Sequence, residues 1–135
     1  MKKIVVLLFL MITTNVLAEW TEIARPASNR YTIYIDYQSI HKIENSNAVS
    51  LWILTDWKTI REIARDKYLS NQQHIKVECK EQIMWLLDFT WYSENMGLGN
   101  IVWTQSNLKE EPTAVAPMTT DATLFNIACA NVRIN

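Results

Sequence analysis

Two cysteines, Cys79 and Cys129, constrain this chain more than any other feature, because each lies on the apolar side of its own element. In Gln72 to Lys80, Ile75, Val77 and Cys79 alternate with His74, Lys76 and Glu78, which is the period of a strand with one apolar face. Around Cys129 the segment from about Asp121 to Ala130 places Leu124, Phe125, Ala128 and Cys129 at spacings of three and four, the apolar stripe of a helix. Thr119 or Thr120 supplies its N-cap. A bridge between the two cysteines would pin a C-terminal helix against a sheet. It would close a loop of about 50 residues and stabilise the fold by roughly 4 kcal/mol at most, against a total of roughly 5–15 kcal/mol for an ordinary domain. Two free buried thiols are the alternative. A metal site is weaker still, because neither His41 nor His74 stands at ligand spacing from either cysteine.

The bridge requires an oxidising compartment, and the N-terminus points to one. Lys2 and Lys3 precede an unbroken apolar run, Ile4 to Ile12, then polar Thr13-Thr14-Asn15, then Val16-Leu17-Ala18. That order is a secretory signal, with cleavage expected between Ala18 and Glu19. The run is under half of the roughly 20 apolar residues that a membrane span requires. No cysteine stands near the cleavage site to accept a lipid, so the expected product, residues 19–135, is a soluble single domain without a lipid anchor. The whole chain carries a net charge of −1, two units more negative once Lys2 and Lys3 are gone. Scattered charge of that size gives no footing for nucleic acid.

Strand patterns fill most of the remainder. Trp20 to Arg25, Arg30 to Asp36, Ala48 to Trp57, Gln72 to Lys80, Gln82 to Tyr92 and Ile101 to Gln105 read as about six antiparallel strands. Asp36 opens a tight corner, Asn45-Ser46-Asn47 a turn, and the stretch with both glycines, Ser93 to Asn100, a hairpin connection. Lys58 to Tyr68 reads as a charged surface loop or short helix, and Leu108 to Pro117 as an irregular linker. The expected class is α+β: a curved antiparallel sheet with one C-terminal helix packed on it.

Nothing in the sequence assembles an acid, a base and a nucleophile. His41 lies in a turn and His74 on the polar side of a strand, and there is no phosphate loop or HExxH motif. The reading is a non-enzyme with no cofactor, no metal and no catalytic residue. Tryptophan is the notable excess, with six in the chain; Trp52, Trp57, Trp85, Trp91 and Trp103 lie in or at the ends of strands. The central strand and the long strand after Glu81 are apolar on both faces, and one short helix covers only one. Either the sheet curls on itself, which is the preferred reading, or an apolar face is left for a partner or a second subunit of a homodimer. Which residues would form that binding surface is not legible.

The face of the long strand turns on the corner at Lys80-Glu81. A two-residue loop pairs Val77 with Met84 and Ile75 with Leu86, and sets Met84 and Leu86 under the helix. A three-residue loop pairs Cys79 with Ile83 and sets Ile83, Trp85, Leu87, Phe89 and Trp91 there. The three-residue loop is preferred, since Lys-Glu lacks the residues that favour positive φ and the helix then meets the more apolar row.

Read in order, WTEIA, YTIYIDYQSI, LWILTDW, ECKEQ, DFTWYSENMGLGN and the final AVAP…LFNIAC resemble the surface-adhesin protein E family, small exported proteins of Gram-negative bacteria. The likeness runs from Trp20 to Cys129. It implies a six-stranded antiparallel sheet with a disulfide-tied C-terminal helix. It also implies adhesion, that is, binding of host matrix or serum proteins at the cell surface. The founding adhesin is lipid-anchored and this chain has no lipobox cysteine, so a periplasmic or released protein is expected. The other functional reading is a periplasmic module that holds a small apolar ligand in its curved sheet.

Overall fold

The computed structural model describes residues 18–132, so the expected signal lies, but for Ala18, outside the described residues. Eight antiparallel strands and one helix follow: β1 (Trp20–Ala24), β2 (Tyr31–Asp36), β3 (His41–Lys42), β4 (Ala48–Ile63), β5 (Asp66–Glu78), β6 (Ile83–Tyr92), β7 (Ile101–Gln105), β8 (Thr113–Ala114) and α1 (Thr120–Val132). The main path, β1-β2-β4-β5-β6-β7, supplies the six expected strands. Two short additions, β3 on β4 and β8 on β6, make eight, and the sheet stays open. The Asp36 corner forms as the sequence suggests, with Asp36 Oδ1 accepting from the amide of Gln38 at 3.0 Å.

On one side of the sheet, residues line up in rows across the strands. Val49, Val77 and Met84 form one row, and Leu51, Ile75 and Leu86 the next. Ile35, Ile53, Gln73 and Phe89 follow, and then Ile33, Thr55, Asn71, Trp91 and Trp103. The helix lies over the first three rows, with Leu124, Ala128 and Cys129 buried against Ile35, Val49, Leu51, Ile53, Ile75 and Val77. Thr119 Oγ1 caps it by accepting from the amide of Ala122 at 3.1 Å. The Cys79–Cys129 disulfide fastens its far end to the strand, across a Cα–Cα distance of 5.9 Å.

Two expectations are corrected. Lys58 to Tyr68 is not a loop or helix but the tip of the β4–β5 hairpin, where Arg61 pairs with Tyr68, Glu62 with Lys67 and Ile63 with Asp66. The Glu62–Lys67 ion pair at 3.4 Å and the β-branched Thr59, Ile60 and Ile63 suit a strand there. The arm reaches beyond the core, so no alternating apolar pattern marked it.

The second correction concerns the β5–β6 corner. Val77 pairs with Met84 and Ile75 with Leu86, so the preferred three-residue register is wrong. Gln82 takes the positive φ of 55° that Lys-Glu was expected to refuse, and its amide donates to the carbonyl of Glu78 at 3.0 Å. A bulge then intervenes. His74 pairs with Asp88 while Ile75 pairs with Leu86, which leaves Leu87 without a partner. The strand therefore changes face part-way. Met84 and Leu86 lie against the helix-side core, Trp85 turns to the opposite side, and Phe89 and Trp91 return to the helix side beyond the bulge.

The opposite side has its own cover. The segment Ser93 to Asn100 folds back over β4 and β5: Met96 N donates to Asp56 Oδ1 at 2.7 Å, and Gly97 N to Ser70 Oγ at 2.8 Å. Gly97 has φ +71°, and an added Cβ would stand 3.5 Å from Leu54 Cδ1 and 2.6 Å from Gln72 Nε2. Leu54 and Ser70 are thereby fully buried. This flap covers the second face over Leu54 and Ser70, and the sheet does not close on itself.

Candidate binding surface

The helix ends before the sheet does. Past Thr120 the helix-side face continues as an aromatic stripe across five strands, from Tyr31 and Trp57 through Asn71 to Trp91 and Trp103. Cross-strand pairing brings these rings together, since directly opposed residues share a face. Tyr31 and Trp57 lie 4.7 Å apart between centroids, and Trp91 and Trp103 5.6 Å. Tyr68 stacks on Trp91 at 4.7 Å and Phe89 flanks it at 5.4 Å. The Arg61 guanidinium stands over the Trp57 ring at 4.7 Å, a cation–π contact from the hairpin arm. Trp103, 45% exposed, ends the row beside the edge of the sheet. The rings are held by one another and by the backbone, so they form a rigid apolar surface.

Between this stripe and the helix N-terminus lies a cleft of about 260 Å³. Its floor is Thr55, Asn71 and Gln73 beside Tyr31 and Trp57, and its far wall is Thr120 and Asp121. Asn71 Oδ1 accepts from the Trp57 indole N–H at 3.3 Å, which fixes both side chains.

Both histidines find partners. His41 Nε2 meets Ser50 Oγ at 2.8 Å and its Nδ1 meets the carbonyl of Ser39 at 2.8 Å. Ser50 is only 3% exposed, so this pair fastens β3 to β4 and offers no nucleophile to a substrate. His74 Nδ1 contacts Asp88 Oδ2 at 2.7 Å while its ring stacks on Trp52 at 4.7 Å. Asp88 also accepts from the amide of Asn107 at 2.9 Å. Burial alone would raise its pKa; the hydrogen bonds from Asn107 and His74 outweigh burial and hold it below the usual carboxylate value. Sequence reading missed this contact because the bulge at Leu87 sets the register that creates it. Among the described residues no three His, Cys, Asp or Glu side chains converge as a metal site would require.

The five strand tryptophans thus divide. Trp57, Trp91 and Trp103 share the stripe, while Trp52 and Trp85 occupy the opposite face, Trp85 with the Lys76 ammonium 3.9 Å from its ring centroid. The stripe had one usable signal: along β4 the helix-side positions pass from Leu51 and Ile53 to Thr55, where the apolar row gives way.

A profile of surface-adhesin protein E matches residues 20–130. The chain belongs to the surface-adhesin protein E family. Solved structures of Haemophilus influenzae protein E share the surface-adhesin E fold with it. One superposes with a TM-score of 0.62 at 19% identity, covering 84% of this chain and 87% of the other. A selenomethionine form gives 0.63 at 19% identity, covering 88% and 92%. No curated protein matches the chain by sequence. No helix among the described residues of this surface-adhesin E domain is long and apolar enough to cross a membrane.

Proposed function

We propose that this is an exported, non-enzymatic adhesin-like module, released from its signal before Glu19, that binds a host matrix or serum protein. The stripe from Tyr31 to Trp103 carries the proposal. Aromatic residues fixed by neighbours lose little entropy on binding and are over-represented among residues that dominate interfaces. Family membership supports the adhesive role, and the signal-like N-terminus supports export. The periplasmic small-ligand reading finds less support, because the clefts around the described residues are shallow and partly polar rather than enclosed and apolar.

The test has two arms. Protease treatment of intact cells should remove the protein if it is displayed, and spare it if it stays in the periplasm. Immobilised matrix and serum proteins should capture the purified protein, and Trp103→Ala or Tyr31→Ala should weaken that capture by about tenfold or more, the equivalent of one hot-spot residue. Capture that ignores both substitutions would remove the stripe from the reading. Protection from protease in intact cells would remove the adhesin role.

A further inference from the structure

We infer that the cleft beside the helix N-terminus takes a neutral saccharide, of the kind a glycosylated partner carries; this rests on the reading of this end of the sheet as the binding surface. The floor of the cleft departs from the face it belongs to. Along β4 and β5 the helix-side positions are Leu51, Ile53, Ile75 and Val77 where α1 covers them, with Gln73 beside Ile53 in the last covered row, and Thr55 and Asn71 where it stops. Thr55 and Asn71 are each only 8% exposed. Polar groups so far out of water are costly unless paired, and an apolar pair there would have extended the core.

The cleft's chemistry matches a sugar ring on both of its aspects. A pyranose has a C–H face that stacks on aromatic rings and a rim of hydroxyls that both donate and accept. Tyr31 and Trp57 supply the rings. Asn71, its Oδ1 occupied by Trp57, keeps its NH₂ for donation; Gln73 offers a carboxamide that does both, Thr55 and Thr120 offer hydroxyls, and Asp121 accepts. Other ligand classes fit less well. An anion would meet the Asp121 carboxylate with no Lys or Arg in the lining, since Arg61 stands over the Trp57 ring instead. A purely apolar ligand would strip water from Gln73, Thr120 and Asp121 and give nothing back. Five polar residues stand with Tyr31, Trp57, Ile33 and Ile53 around this cleft, a mixed lining that suits a ligand with both C–H faces and hydroxyls.

The experiment is a nitrogen-15 NMR titration of the exported, disulfide-bonded protein. The probes are galactose, glucose, mannose, N-acetylglucosamine and their linear disaccharides, with N-acetylneuraminic acid and hexanol for the two rejected chemistries. At least one neutral sugar should shift the Trp57 indole N–H and the Asn71 and Gln73 side-chain NH₂ signals saturably. Gln73→Ala and Asp121→Asn should each weaken that binding by about tenfold, and Trp85→Ala, on the opposite face, should leave it unchanged. Three results would overturn the inference: no neutral sugar moves these signals, only the acidic sugar or hexanol does, or Gln73→Ala binds as the native protein does. Silence from every sugar, with protein capture still lost in Trp103→Ala, would sink this inference and leave the proposed function standing.

Discussion

Replacing both cysteines, Cys79→Ala with Cys129→Ala, should unfasten the helix before it harms the sheet. The bridge spans a sequence separation of 50, for which loop-closure entropy gives a ceiling of about 4 kcal/mol. Engineered and native bridges commonly deliver less, so a loss of about 2–4 kcal/mol is expected. The loss should be uneven. At 13 residues α1 is at the limit of what is stable alone in water, roughly 12–15 residues even in favourable sequences. Without the bridge the packing of Leu124, Phe125, Ile127, Ala128 and Val132 and the cap at Thr119 hold it. The sheet keeps its ladder from β1 to β7 and its flap on the far side. Urea denaturation followed by circular dichroism gives the total, and amide hydrogen exchange gives its distribution. Amides from Leu124 to Asn131 should lose protection by a larger factor than those of β4 and β5. Equal protection in helix and sheet at reduced stability would mean that the two unfold as one unit. An unchanged urea midpoint would mean that the bridge closes a loop already ordered in the unfolded chain.

Four further outcomes follow from the same geometry. Leu51→Ala, at a fully buried site under the helix, should cost about 2–5 kcal/mol in urea denaturation. Trp85→Ala should cost clearly less, since the half-buried ring faces away from that core and loses chiefly its Lys76 contact, worth about 0.5–1 kcal/mol when exposed. Asp88 has a folded pKa below its unfolded value, so its contribution is present above the ordinary carboxylate pKa and is lost as pH falls through the lowered one. The urea midpoint of Asp88→Asn should therefore lie below that of the native protein at neutral pH, and the gap should close in acid. Gly97→Ala should destabilise by roughly 1 kcal/mol or more, because a side chain at φ +71° is strained; thermal melts check this, and exchange of the Ser70 amide should rise with it.

How much of this was readable before the structure depended on whether a feature is written in a local pattern. Alternation placed Ile75, Val77 and Cys79 on one face, and helical spacing did the same for Leu124, Ala128 and Cys129; the helix-side core and the bridge follow from those two facts. The hairpin arm from Lys58 to Tyr68 was illegible for the opposite reason. It buries little, so pairing alone shaped its sequence.

The bulge at Leu87 shows where such reading must stop. Strand parity is a local rule, but each face assignment inherits every register decision made upstream of it. In β6 the unpaired Leu87 shifts that parity by one residue. This shift puts Phe89 and Trp91 on the helix side with Met84 and Leu86 while leaving Trp85 on the other. No period of two running through QIMWLLDFTWY can express that division. Yet the division produces the site, because it carries Trp91 to Asn71 and Trp103 on the helix side, and Asp88 to His74 on the other. A strand that kept Leu87 in regular pairing would set it opposite His74, place Asp88 opposite Gln73 on the helix side and turn Trp91 away from Trp57. The candidate surface therefore depends on Leu87 staying unpaired. Its deletion, which sets Leu86 and Asp88 consecutively opposite Ile75 and His74, should keep both the Val77–Met84 and the Asn71–Trp91 pairs and with them the stripe. Loss of the Trp91–Trp103 contact in that variant would refute this account.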